Sequence, residues 1–173
     1  MLELRGVAKH YRRKDVLRDV THSFPVGLTL LEGPSGAGKS TLLRLIATAE
    51  RPSAGQILWQ GKALPGGRAA LRRVLGYAPQ AVDLPEELTA REFAAYIGAL
   101  KGLARAGVDA QFGAITTAIG LHADIDNRIS TFSGGMRRRL IFAQALLGDP
   151  QLIALDEPTA ELDDATADKL GAF

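Results

Sequence analysis

Gly33-Pro34-Ser35-Gly36-Ala37-Gly38-Lys39-Ser40-Thr41 decides how this chain is read, because it satisfies the pattern G-x-x-x-x-G-K-[ST]. Four apolar or β-prone residues, Leu28, Thr29, Leu30 and Leu31, lead into it through Glu32, and Leu42, Leu45, Ile46 and Ala49 recur after it at helical spacing. The local order is therefore strand, glycine-rich loop, helix. Glycines let the backbone curl so that successive N–H groups face inward, and the unpaired N–H groups and dipole of the following helix favour the same negative charge. Such a loop cradles phosphate oxygens. Gly33, Pro34, Ser35, Gly36, Ala37 and Gly38 supply its backbone, Lys39 reaches the outer phosphates, the Ser40 hydroxyl is placed to ligate Mg²⁺, and Thr41 lies one step deeper.

A second segment complements the first. Residues 152–155, Leu-Ile-Ala-Leu, read as a buried strand that ends in Asp156-Glu157. Ligands gather at the carboxyl ends of parallel strands. Asp156 can hold the metal through its water shell, while Glu157 is the candidate to polarise an attacking water.

Elsewhere the pattern alternates between sheet and helix. Leu2 and Leu4, then Val20, His22 and Phe24, suggest short antiparallel strands closed by Pro25 and Gly27. Residues 51–55 form a turn, 57–59 a strand, 65–67 a loop, and 74–78 another strand before Pro79-Gln80. From residue 81 to 132 the chain becomes helical. Thr89 and Glu92 form a capping box ahead of Phe93, Tyr96, Ile97 and Leu100, and Phe112, Ile115 and Ile119 mark a second helix. Ser133-Gly134-Gly135 then opens a helix carrying Met136, Leu140, Ala143 and Leu147 on one face, stopped by Gly148-Asp149-Pro150. The expected fold is α/β: a P-loop NTPase fold with a mostly parallel central sheet, an N-terminal antiparallel β-subdomain and a small helical insert. Its expected parts are residues 1–80, 81–132 and 133–173.

Bulk properties narrow the partners. The 173 residues, 46% hydrophobic and 23% charged, suit one domain with a real core. A net charge of +2 gives no basic surface for duplex DNA, so no nucleic acid is expected, and Arg137, Arg138 and Arg139 read as a solvated helix face. The absence of cysteine excludes a disulfide framework and a thiolate metal site. Every apolar run is broken well short of a membrane span. Any membrane would come with a partner.

The segment between the two phosphate motifs specifies the kind of NTPase. Phe132-Ser133-Gly134-Gly135-Met136, Asp149-Pro150 and Leu155-Asp156-Glu157-Pro158-Thr159 closely resemble the signature and strand motifs of the ATP-binding cassette family; Gly76-Tyr77-Ala78-Pro79-Gln80 resembles its Q-loop and Ala160-Glu161-Leu162-Asp163 its D-loop. The resemblance implies an ATPase subunit using ATP and Mg²⁺, pairing head to tail as a homodimer or with a paralogous cassette, and driving a transmembrane permease from the cytoplasmic face of the membrane. It implies catalytic roles for Glu157, Lys39 and Gln80, with Ser40, Gln80 and Asp156 as metal ligands. It also implies that Tyr11 stacks on adenine, and that Ser133, Gly134, Gly135 and Met136 grip the γ-phosphate of ATP held by the opposite subunit.

Some positions depart from the family pattern. Phe132, Met136 and Ala160 stand where leucine, glutamine and serine are usual, and the last two changes remove hydrogen bonds across such a dimer. The chain ends at Phe173, before the family's switch histidine, and His10, His22 and His122 are not placed to replace it. A truncated cassette is expected on this ground, with unpaired strands and weak turnover. The alternatives are a non-hydrolysing ATP-binding fragment and a soluble cassette ATPase of DNA repair or translation.

Overall fold

The computed structural model describes residues 1–157, so the expected D-loop at residues 160–163 lies outside the described residues. The chain falls into two compact units, Met1–Arg72 and a second beginning at Arg73.

The first unit is built on an antiparallel sheet of β1 (Leu2–Tyr11), β2 (Lys14–Phe24), β3 (Ala54–Trp59) and β4 (Lys62–Ala63), in the order β2-β1-β3-β4. Alternation buries Leu2 and Leu4, which pair with Trp59 and Ile57 of β3. The pairing then slips between Leu4 and Val7. Gly6, at φ +58°, takes up this bulge, and the extra residue turns Val7 inward, where it is fully buried. Helix α1 (Lys39–Ile46) places Leu45 and Ile46 in the same unit's core, and the short α2 (Arg68–Arg73) follows the sheet with Leu71 buried.

One expected strand is missing. Residues 28–31 belong to neither sheet, and Leu28 and Leu30 are 97% and 74% exposed. Apolar sequence makes a strand only where a neighbour accepts its backbone hydrogen bonds, and among the described residues no ladder reaches this stretch. Among the described residues the parallel pairing is accordingly confined to two strands.

Those two strands are in the second unit: β5 (Leu75–Ala78) and β6 (Leu152–Leu155) pair in parallel from Leu75↔Leu152 to Ala78↔Leu155. Around them lie α3 (Ala90–Lys101), α4 (Arg105–Ala118) and α5 (Gly134–Leu146). The capping box is formed as expected: Glu92 N donates to Thr89 Oγ1 at 3.1 Å and Thr89 N donates to the Glu92 carboxylate at 2.8 Å. Phe93, Phe112, Ile115, Ile129, Leu140 and Leu147 form the core of this unit.

The arginine triplet departs from the solvated face expected of it. Arg138 is 8% exposed and donates to the carbonyl of Gln80 at 2.6 Å. Arg139 donates to the carbonyl of Gly120 at 2.9 Å, beyond the end of α4, and Arg137 pairs with Glu86 at 2.8 Å. Carbonyls at helix ends and in loops have no ladder partner, and forked guanidinium donors satisfy them.

Candidate nucleotide-binding site

The first unit carries the glycine loop. Gly36 and Gly38 stand at φ +79° and +96°, where an L side chain is strained. Space at Gly38 is also tight, since a Cβ there would lie 3.0 Å from the Leu17 side chain and 3.1 Å from the Val16 carbonyl. The loop closes with Ala37 N donating to Pro34 O at 3.2 Å and Leu42 N to Gly38 O at 2.8 Å. Gly38 provides α1 with no side-chain cap, and no acidic residue occupies the helix's first turn. The positive end of the helix therefore faces the loop with no negative group of its own.

Lys39 bends back over this loop, its Nζ donating to the Gly33 carbonyl at 2.7 Å and the Pro34 carbonyl at 3.1 Å. An ammonium satisfied by two neutral carbonyls can exchange them for anionic oxygens at a net gain. Thr41 is buried and its hydroxyl accepts from Arg44 at 3.2 Å. Tyr11, at the end of β1, is exposed, and its hydroxyl donates to Glu50. The chemistry of this arrangement suits a phosphate chain: a tight glycine-rich turn, a helix start without a side-chain cap, and the Lys39 ammonium over the loop.

The second unit carries the carboxylates. Because β5 and β6 run parallel and in register, Pro79-Gln80 and Asp156-Glu157 leave the sheet side by side at its carboxyl edge. Asp156 N donates to Ala78 O at 2.9 Å, extending the ladder by one step, and its side chain is buried. Glu157 sits at φ +51° and accepts from Gln80 Nε2 at 2.8 Å. Two residues 77 positions apart in sequence are thereby joined, a pairing that needed the strand register to be seen.

Ser133 caps α5, with Met136 N donating to its Oγ at 3.3 Å, and Gly134 and Gly135 form the first turn. Ser133 and Gly134 are exposed, whereas Met136 packs against the unit's core. Sequence reasoning missed Glu50 and Arg138. Neither belongs to a phosphate-site motif, and each has a partner more than 35 residues away, Tyr11 for Glu50 and Gln80 for Arg138.

Comparison with known proteins gives a consistent pattern. The family model described as ABC transporter matches residues 17–160. An uncharacterized ABC transporter ATP-binding protein YxlF of Bacillus subtilis (strain 168) is 37% identical over 164 residues, covering 94% of this chain and 54% of the relative. The Nod factor export ATP-binding protein I of Mesorhizobium japonicum is 37% identical over 163 residues, covering 94% and 48%. The chain thus spans about half the length of the curated relatives it matches. Among solved structures, an ATP binding subunit of an ABC transporter superimposes with a TM-score of 0.83 at 29% identity, covering 98% of this chain and 71% of the other. A dimeric post-hydrolysis state of the cassette MJ0796, bound to ADP and Pi, gives 0.83 at 25% identity, covering 98% and 79%.

Proposed function

Given that the chain belongs to the ABC transporter family, we propose that it is the ATP-binding and ATP-hydrolysing part of a membrane transporter. The observation that carries this reading is the uncapped start of α1 beneath the Gly33 to Gly38 loop, with Lys39 resting on loop carbonyls. In this reading the loop amides and Lys39 hold the β- and γ-phosphates, and Tyr11 stacks on the adenine. Ser40, Gln80 and Asp156 are the metal ligands. Mg²⁺, when bound, neutralises phosphate charge and polarises the terminal phosphoryl group.

Glu157 then orients a water and takes its proton as the water oxygen bonds to the γ-phosphorus; the bond to the bridging oxygen breaks and ADP keeps that electron pair. The exposed Ser133-Gly134 helix start takes the γ-phosphate of a nucleotide held by a second copy or a paralogous cassette. ATP thus closes the pair, and loss of phosphate removes the contact that favoured closure. A transmembrane permease, engaged near Gln80 on the cytoplasmic side, is moved by this cycle. Export by a rhizobial relative and the ADP- and phosphate-bound state of a cassette neighbour are in keeping with such a role.

Titration with Mg-ATP tests the reading. The expected result is saturable binding that Lys39→Ala weakens about 10- to 100-fold, the worth of a charge-assisted contact to phosphate. Absence of saturable binding by the folded chain overturns it.

A further inference from the structure

Glu50 lies just past the end of α1, outside every motif, yet three side chains converge on it. The Tyr11 hydroxyl donates to Oε2 at 2.5 Å, the Lys9 ammonium lies 3.0 Å from the same oxygen, and Arg44 Nε of α1 lies 2.8 Å from Oε1. Lys9 also donates to the Arg51 carbonyl at 2.9 Å and stands 4.9 Å from the centroid of the Tyr11 ring. Burial acts to raise the Glu50 carboxyl, but the hydrogen bonds from Tyr11 and Lys9, with the charges of Lys9 and Arg44, outweigh it and hold the group below its ordinary range. It is a fixed anion at neutral pH.

This arrangement sits beside the phosphate loop by construction. Lys9 of β1 pairs with Leu17 of β2, and Leu17 and Val16 are the residues against which Gly38 packs. The tip of the β1–β2 hairpin, with Tyr11 paired to Lys14, is therefore carried on the strand pair that touches the start of α1, while Glu50 ties the same tyrosine to the other end of that helix.

We propose that Glu50 is a positioning residue for the base of the bound nucleotide. It holds the Tyr11 ring by its hydroxyl, and Lys9 covers one ring face, so that a purine stacks on the other. A tyrosine free to rotate would have to be ordered on binding; one already held at its hydroxyl and flanked by a cation loses less. The inference rests on the nucleotide reading above and adds to it a residue that never touches the ligand.

The test separates base from phosphate by comparing Mg-ATP with inorganic tripolyphosphate on the 173-residue chain. Stacking of a base on an aromatic ring is worth roughly 5- to 150-fold in affinity. Glu50→Ala is expected to lose part of this, raising the ATP dissociation constant about 3- to 10-fold, with tripolyphosphate affinity unchanged. Tyr11→Phe keeps the ring but loses the tether, so it should reproduce the effect, and the double variant should add nothing further. Equal weakening of both ligands would make the cluster a fold tether alone, and unchanged ATP affinity in both single variants would remove any role for it; either result overturns the inference. If the unsubstituted chain takes up neither ligand, the nucleotide reading fails first and this inference falls with it. Uptake of tripolyphosphate with an ordinary ATP response to Glu50→Ala defeats the inference alone.

Discussion

A carboxylate has two oxygens, so one can accept a fixed hydrogen bond while the other takes a proton from water. Glu157 accepts from Gln80 at 2.8 Å and is held at φ +51°, a conformation that costs a non-glycine residue of order 1 kcal/mol or more. Strain of this kind at the end of a strand is found where the surroundings fix a side chain for use. Glu157→Gln retains the shape and can still pair with Gln80 as one amide to another, but has no basic oxygen. It should therefore cut phosphate release about 10²- to 10⁴-fold while leaving the ATP dissociation constant near its original value. A malachite-green assay beside a binding titration reads both, and ordinary turnover by this variant would remove Glu157 from the chemistry. The carboxylate proposed as base is legible in sequence because two carboxylates follow an apolar run; its Gln80 partner is 77 residues away and appears only once β5 and β6 are placed in register.

Elements show the same division between local and distant causes. The Thr89–Glu92 box was legible because all its bonds lie within three residues, so the sequence contains both donors and both acceptors. Helix α5 was legible in extent but not in the use of its arginines. Arg138 and Arg139 look like surface charge until the carbonyls of Gln80 and Gly120 are brought against them. Residues 28–31 failed for the opposite reason: their composition suits a strand, but strand formation is a property of a pair. Helix α2, six residues with three arginines, is too short to show a period. The junction of α5 with β5 was also invisible. A Cβ on Gly76 would stand 2.0 Å from the Ala145 carbonyl oxygen, close to where Gln144 Nε2 donates to the Tyr77 carbonyl at 2.6 Å. Gly76→Ala must push the helix off the strand, and overpacking of this kind costs about 1–3 kcal/mol. Thermal unfolding followed by helical circular dichroism should show a lowered midpoint; an unchanged midpoint would mean that strand and helix are not in close contact there.

Over the whole chain the formal charge is only +2, so acid sensitivity is set by particular carboxylates rather than by general repulsion. Glu50 in the first unit lies below its ordinary value of 4.5 for the reasons given above. In the second, Glu92 is lowered by the backbone and side-chain hydrogen bonds of Thr89, and Asp126 by its hydrogen bond from Arg91. A group whose pKa is lower in the folded chain binds fewer protons there than when unfolded. Stability from such groups is complete above the unfolded value and is lost as pH falls through the folded one. The expected window therefore opens near pH 4.5 and extends below it. The two units can be followed separately, because the single tryptophan, Trp59, is buried in β3 of the first, whereas α3, α4 and α5 dominate the helical signal of the second. Urea midpoints by tryptophan fluorescence should fall as pH drops below 4.5, and Glu50→Gln should flatten that fall while leaving the acid response of the helical signal in place. A fluorescence midpoint equally acid-sensitive in the Glu50→Gln chain would place the titrating group elsewhere in the first unit, and would weaken the case that Tyr11, Lys9 and Arg44 are gathered around a fixed anion.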